Sequence, residues 1–397
     1  MNVLLVDSTR EIGGAQRSLL ELAVALQAGG TSVHAAVPSG PLAEALRAAG
    51  VPVRTLPALR MSRRMHPRAL AEALRFVRAI LSLSRTVRAV RPDVLHANGL
   101  TPALLAVQAR QGCPVVWHVR DLSMRVSLVR YLVSRVDCIV GISESVADHL
   151  TEVVSSRWLR KVCLVCNGID VAHYQPGDRA AARRAYGLPA DAPLVGMIAH
   201  LVPWKRHANF LEIAAAIRAQ RPDARFVMVG RDLFQDHPKL CRRLEAQIAD
   251  AGLGDAIFPI RNLDDVAPLL PALDVLVHPA AVEPFGRVIC EAMAAGVPVV
   301  AANSAGPSCI VAHGKTGLLA TPGETAEFAR LALQLLAQPE TAQRLAAAAR
   351  TQVSERFNVT RTASEMAARY SAILQERARE KRRREAEAVR VRDDDDE

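Results

Sequence analysis

The strongest constraint in this chain is one stretch, Asp274 to Ala301. Asp274 to His278 is a short apolar run, which predicts a buried strand. Pro279 to Gly286 is rich in turn formers. From about Gly286 onward, Val288, Ile289, Ala292, Met293 and Ala295 recur at helical spacing and mark one apolar face. Gly296 ends that helix, and Val297 to Ala301 predicts the next buried strand. A strand, a helix and a strand in this order form a βαβ unit, and its two strands lie parallel in one sheet.

In open α/β sheets, ligands bind beyond the carboxyl ends of strands. The loop 279–286 lies at such an end and feeds a helix N-terminus, where backbone N–H groups lack intrahelical partners and favour an anion. The amides near Phe285, Gly286 and Arg287 therefore suit a phosphate. Two carboxylates flank them, Glu283 in the loop and Glu291 between one and two turns into the helix. Part of the gap between them is loop, so both can face one ligand. A carboxylate accepts two hydroxyls at once. A phosphate site between two polyol-binding carboxylates describes a nucleotide sugar. The plainer reading, a solvated helix with ordinary surface glutamates, fits less well because Glu291 sits among apolar residues.

The rest of the chain repeats the strand–loop–helix pattern. Val3 to Val6 predicts the first strand, followed by the loop Arg10 to Gln16 with Gly13 and Gly14, and then a helix through Leu19, Leu22 and Leu26. Val33 to Val37 is the second strand. Asp93 to Gly99 and Val115 to Asp121 each run from a strand into polar residues, placing His96, Asn98 and His118 toward strand carboxyl ends. Gln175 to Ala192 shifts to Pro, Gly, Asp and Arg, which marks a linker. A second repeat follows, with strands at Val195 to Ala199, Arg225 to Gly230 and Ile257 to Ile260. Ala342 to Leu374 reads as helices. Glu376 to Glu397 is nearly all charged, so it is expected to be disordered or a frayed helix.

A chain of 397 residues is long enough for two or three domains. No apolar run reaches about 18 residues, so no membrane-spanning helix is expected. Asp7 interrupts the first apolar run and no basic segment precedes it, which argues against a signal peptide. Seven scattered cysteines fit a reduced, cytoplasmic protein, and Cys163 and Cys166 read as buried thiols rather than zinc ligands. The net charge of +10 implies acidic partners. Nothing resembles a zinc finger or an RNP motif, so nucleic acid is not among them. Arg60 to Arg91 carries nine arginines against Glu72, with Leu70, Leu74, Val77, Ile80 and Leu81 at helical spacing. It is either a core-facing helix with a solvated basic face or an amphipathic surface that leans on anionic lipid.

Glu283-Pro284-Phe285-Gly286, a second glutamate eight positions after the first, and Ala292-Met293-Ala294-Ala295-Gly296-Val297-Pro298-Val299-Val300 together resemble the signature of the retaining GT-B glycosyltransferases of family GT4. The resemblance extends over roughly residues 1 to 375. It implies an α/β GT-B fold, with two Rossmann-like doubly wound domains facing across a cleft and a C-terminal helix crossing back to the first. The expected divisions are an acceptor domain at 1–175, a linker at 176–192, a nucleotide-sugar domain at 193–355, a crossover helix at 356–375 and a charged tail at 376–397.

The resemblance also implies roles. Gly13 and Gly14 would approach the donor diphosphate. His200, Lys205, Arg206, Glu283, Phe285, Gly286, Arg287 and Glu291 would bind the donor, with Glu291 on the ribose hydroxyls. His96, Asn98 and His118 would meet the acceptor, a glycan, a lipid-linked glycan or a small molecule. His118, Lys205 and Glu283 are the expected catalytic residues. The donor is a substrate and no cofactor is expected. The only Asp-x-Asp lies in the acidic tail, so metal-independent transfer is expected, with Lys205 and the helix N-terminus supplying the positive charge. An anionic membrane surface is a further expected partner, giving a cytoplasmic protein or one peripheral to the inner face of a membrane.

The chain departs from the family pattern in two places. His200 stands where the family usually has Arg, and Arg206 replaces the Gly after Lys205. Ala305 and Cys309 replace the first Gly and the Glu of the segment that is Ser304 to Cys309 here. These departures leave an alternative from another class, a GT-B pseudoenzyme that binds a nucleotide sugar or glycan without turnover. A sugar-nucleotide epimerase on the same architecture is a third reading.

Overall fold

Apolar runs of three to seven residues alternate along this chain with helix-forming stretches, so successive strands pair in parallel with helices as crossovers. The computed structural model describes residues 1–59, 69–233, 236–261 and 263–395. Arg60, Arg63, Arg64 and Arg68 of the basic stretch lie outside the described residues. The chain divides into two units. One holds Met1–Gly141, Leu150–Val165 and the chain from Thr360 on, and the other holds Ile142–His149 and Cys166–Val359.

Among the described residues the first unit is built on seven strands: β1 (Asn2–Val6), β2 (Ser32–Pro38), β3 (Val53–Leu56), β4 (Val94–Asn98), β5 (Val115–Val119), β6 (Cys138–Gly141) and β7 (Val162–Leu164). All pair in parallel, in the order β3-β2-β1-β4-β5-β6-β7. Val3, Leu4, Leu5 and Val6 are all fully buried, as a central parallel strand covered on both faces requires. The last helix, Val359–Asp395, contributes Ala363, Met366, Tyr370 and Ile373 to this unit's core. Residues 376–395 of the charged stretch, expected as disordered or a frayed helix, continue that helix. Arg377 holds its start to Asp137 with an Nε–Oδ1 bond of 3.0 Å. Farther out, Lys381 pairs with Glu385 and Arg383 with Glu387 at i,i+4.

The second unit has β8 (Leu194–Ile198), β9 (Arg225–Val229), β10 (Ile257–Ile260), β11 (Val275–His278), β12 (Val299–Ala302) and β13 (Leu318–Ala320), again all parallel, in the order β10-β9-β8-β11-β12-β13. Its core is the apolar face formed by Val195, Met197, Phe210, Phe226, Val277 and Phe328 with their neighbours. β3 and β13 are edge strands of four and three residues, too short to stand out as apolar runs in the sequence.

The stretch 176–192, expected as a linker, is corrected to a folded part of the second unit. The helix Arg179–Ala185 lies within it, capped by Asp178, whose carboxylate accepts from the amides of Ala180 and Ala181. Arg183 is 1% exposed. Its guanidinium donates to the carbonyls of Pro189, Ala190, Ala192 and Ala272 and to the Asp274 carboxylate. Its composition reads as loop because the side chain that anchors it is charged. That charge is buried by backbone carbonyls, which no sequence pattern displays.

Both sheets share one topological feature. The strand order reverses between the first and fourth strand of each, so β1 and β4 flank a switch point in one unit, and β8 and β11 in the other. Loops leaving the carboxyl ends there diverge and leave room for a ligand.

Candidate functional site

In the second unit, the loop after β8 contains a single 3-10 turn, Pro203–Lys205, and Arg206 then turns the chain into the helix His207–Gln220. Arg206 has φ +61°, the left-handed region. The loop after β11 ends at Gly286, also left-handed at φ +106°, and enters the helix Arg287–Ala294. A side chain on Gly286 would press on Ile289 Cδ1 at 3.0 Å, so both conformation and space call for glycine. Because β8 and β11 are neighbours, side chains from their two loops can reach each other. Lys205 and Glu283, 78 residues apart in sequence, form an ion pair.

Glu283 is buried and has a second partner. His278, the last residue of β11, donates from Nε2 to Glu283 Oε2 at 3.2 Å. Burial alone would raise the Glu283 carboxyl, but the Lys205 charge and the bonds from His278 and Lys205 outweigh it. They hold the carboxyl well below the usual carboxylate range. The backbone around it is pinned. The Glu283 carbonyl accepts from Gly306 N at 2.9 Å, and the Pro284 carbonyl accepts from Ser143 Oγ at 2.6 Å. A Cβ on Gly306 would come within 2.3 Å of the Phe285 carbonyl oxygen, so only glycine lets the two backbones approach this closely. Phe285 is buried edge-on against Phe357, with centroids 5.8 Å apart. Its ring therefore holds the loop in place, and any ligand contact there falls to the backbone.

Glu291 is buried and pairs with Arg287 one turn earlier at 3.1 Å. Arg287 also donates to the Gly168 carbonyl at 3.3 Å. His200 is pushed down to about 4, by burial first and then by the Lys205 and Arg231 charges, so it is neutral at pH 7 and supplies no cation. Cys309 has its thiol 3.4 Å from the Ala305 carbonyl, and burial raises it, so it is a neutral group where the family has a carboxylate.

In the first unit, the helix Gly14–Ala28 starts at Gly14, with Gly13 as its N-cap. Gly13 N donates to Gln16 Oε1 at 3.2 Å. At the switch point, Asp7 follows β1 and Asn98 ends β4. Asn98 Nδ2 donates to Asp7 Oδ2 at 2.6 Å, Gln16 Nε2 donates to the same oxygen at 3.1 Å, and Arg120 Nε donates to Asn98 Oδ1 at 2.7 Å. Burial raises the Asp7 carboxyl against these bonds, Asn98 first among them.

The expectation that His96 and His118 lie at strand ends open to a ligand is corrected. Both are fully buried inside the sheet. Tyr370 Oη lies 2.6 Å from His96 Nδ1, and His96 Nε2 lies 3.2 Å from His118 Nδ1. Burial, and after it the Arg120 charge, push His96 down to about 3 and His118 well below the ordinary imidazole range.

Of the expected residues, the structure brings together His200, Lys205, Arg206, Glu283, Phe285, Gly286, Arg287 and Glu291 in one unit, and Gly13, Gly14, His96, Asn98 and His118 in the other. The sequence reading missed His278, Asp7, Gln16, Arg120 and Tyr370. Asp7 and His278 each close an apolar strand with a polar residue, a signal that could have singled them out. Tyr370 lies 274 residues from its partner His96, and no local pattern links them.

The profile of the glycosyl transferases group 1 matches residues 178–352, and that of glycosyltransferase family 4 matches residues 12–173. The chain is 30% identical over 323 residues to a glycogen synthase of Mycobacterium tuberculosis, covering 76% of this chain and 75% of that protein. It is 32% identical over 260 residues to a D-inositol 3-phosphate glycosyltransferase of Stackebrandtia nassauensis, covering 64% of this chain and 58% of that relative's length. Among solved structures, Anabaena HepE in complex with UDP-glucose is similar at a TM-score of 0.80 and 25% identity, covering 94% of this chain and all of that one. A sucrose-phosphate synthase of Thermosynechococcus elongatus shares the fold at a TM-score of 0.78 and 22% identity, covering 94% of this chain and 99% of that one.

Proposed function

We infer the activity from one premise, that this chain belongs to glycosyltransferase family 4. We propose that it transfers a sugar from a nucleotide-diphosphate sugar to an acceptor hydroxyl, with retention at the anomeric carbon and without a metal ion. The observation that carries this reading is the meeting of Lys205 and Glu283 at the switch point of the second sheet, beside the N-terminus of the helix that bears Glu291. UDP-glucose bound to the HepE relative makes a uridine nucleotide the first donor to test.

Each residue has a physical role in this reading. The leaving diphosphate gains charge as the glycosidic bond breaks. The Lys205 ammonium and the first turn of the helix Arg287–Ala294 offset that charge, and a charge-assisted bond that strengthens in the transition state lowers the barrier. Glu283, held ionised, accepts hydrogen bonds from sugar hydroxyls. Glu291, with Arg287 beside it, takes the ribose hydroxyls. The acceptor belongs to the polar edge of the first unit around Asn98, with His96 and His118 as its buried support and Gly13 and Gly14 in the neighbouring loop. A glycan, a lipid-linked glycan or a small molecule is the acceptor class. An anionic membrane is the proposed surface at which the protein acts.

The test is a panel of nucleotide sugars read by thermal shift and by donor hydrolysis without acceptor, followed by NMR of the released anomer. Slow hydrolysis with retention, unchanged by EDTA, supports the reading. Inversion, or loss of turnover in EDTA, removes the finer part of it. Binding without turnover under every condition would instead support a pseudoenzyme. Glu291→Gln should weaken UDP binding about tenfold or more, since a hydrogen bond to a charged group is worth ~1.5–3 kcal/mol. Unchanged affinity would remove Glu291 from the ribose.

A further inference from the structure

Glu283 is held from two sides, and the two holds differ in kind. Lys205 reaches it from the turn after β8 with a charge that a diphosphate would also attract. His278 reaches it from within the sheet and carries no charge at neutral pH, because burial pushes its imidazole down. The His278 ring is 1% exposed. Its Nε2 lies 3.2 Å from Glu283 Oε2, and its Nδ1 has no hydrogen-bond partner. An ionised carboxylate only accepts, so Nε2 carries the proton. Nδ1 is then a bare lone pair, and no buried N–H of this ring is left without an acceptor. The other titratable groups facing the ring are Lys205 and His207. His207 donates from Nε2 to the Ala199 carbonyl at 3.3 Å and is pushed down to about 4, chiefly by burial, so it too is neutral at pH 7.

We propose that His278 is a positioning residue for glycosyl transfer, whose Nε2–H keeps Glu283 ionised and aimed once the donor diphosphate draws Lys205 away. This rests on the donor reading above. In this structure Lys205 and Glu283 neutralise each other. A diphosphate is a stronger partner for Lys205 than one carboxylate, because it offers more charge and more acceptor oxygens. Glu283 would then be a buried carboxylate without a cation, a condition that favours taking up a proton. A protonated Glu283 would give up acceptor capacity toward the sugar hydroxyls. A neutral donor fixed at the end of β11 prevents this without competing for the phosphate.

Two measurements test the proposal. The first needs no nucleotide. Histidine side-chain ¹⁵N NMR of the whole protein should show His278 as the neutral Nε2–H tautomer at pH 7 and still at pH 6. An Nδ1–H tautomer, or an imidazolium at pH 6, overturns the proposal whatever the donor is. The second uses UDP-glucose. His278→Leu should lower kcat/KM about tenfold or more and move the acid limb of its pH profile to higher pH, because a carboxylate that loses a bond to its charged form is easier to protonate. His278→Gln carries an amide N–H to the same place and should restore both the rate and the limb. Equal loss in the two variants with an unmoved limb would mean that His278 only fills space. If the unmodified protein neither binds nor turns over any nucleotide sugar, the donor reading fails, and the tautomer still decides whether His278 serves Glu283.

Discussion

Arg206 and Ala305 stand where the family resemblance leads one to expect glycine, and both have left-handed backbone, at φ +61° and +45°. A residue with a Cβ in that region is strained by about 1 kcal/mol or more. The two departures noted in the sequence therefore mark local backbone strain beside the Lys205–Glu283 pair, and Arg206 adds a cation to that strained position. Arg206→Gly separates the two effects. It should raise thermal stability by up to about 1 kcal/mol, or ~2–4 °C for a unit of this size. If Arg206 also helps hold phosphate, UDP affinity should fall in the same variant. A rise in melting temperature with unchanged UDP affinity would leave phosphate binding to Lys205 and the helix N-terminus. Ala305→Gly should stabilise alike and leave UDP affinity unaltered, since its side chain carries no polar atom.

At the scale of the element, the helix Ala69–Val90 carries features of both readings of the basic stretch. Ala79, Leu83 and Val87 are its buried face. Leu74, Val77 and Leu81 are 53%, 50% and 51% exposed and form one stripe at i, i+3 and i+7. Arg75, Arg78, Arg85 and Arg88 are exposed on the same helix. Apolar residues outward among arginines match a surface that lies on anionic lipid. The protein should co-sediment with phosphatidylserine-containing vesicles at low salt and be released as salt rises, since each basic residue near such a surface is worth ~1 kcal/mol and is screened. Changing the four arginines to glutamine should abolish binding, and changing Leu74, Val77 and Leu81 to serine should weaken it at every salt concentration. Donor hydrolysis should be unaffected by either. Absence of co-sedimentation at low salt would turn the assignment toward a soluble acceptor.

At the scale of the whole molecule, the chain belongs to the second unit briefly at Ile142–His149 and then from Cys166 to Val359, and returns to the first at Thr360. The last helix is part of the first unit's core, and Tyr370 ties it to His96 in β4 and through it to His118 in β5. Tyr370→Phe removes one hydroxyl and leaves the buried Nδ1 of His96 without its partner, at a cost of about 1–3 kcal/mol. Its denaturation midpoint should fall, and amide exchange around Ala363 to Ile373 should accelerate. Ending the chain after Glu380 should leave the midpoint nearly unchanged. Among the described residues, the exposed stretch from Lys381 to Glu387 carries i,i+4 pairs, worth ~0.2–0.5 kcal/mol each. Ending it after Val359 should unfold the first unit. A midpoint equally insensitive to both truncations would show that the helix does not support that core.

Much of this architecture can be read from local pattern. Apolar runs such as Val3 to Val6 and Val275 to His278 announce strands because a central parallel strand is covered on both faces and tolerates little polarity. Glu283 and Glu291 flanking a helix start are legible for a similar reason, since the chemistry lies within one βαβ unit and needs no distant partner to be recognised. Whatever depends on packing between distant segments was not legible. Hydropathy could not tell which apolar residues of the helix Ala69–Val90 face the core, and it read a linker where Arg183 is buried on carbonyls from 189 to 272. It placed His96 and His118 at an open edge although Tyr370 closes over them from the far end of the chain. Only the strand order could bring Lys205 to Glu283 and seat His278 beneath it. Contacts between segments dozens to hundreds of residues apart follow from which strands become neighbours, and that is decided by the collapse of the whole core rather than by any window of sequence.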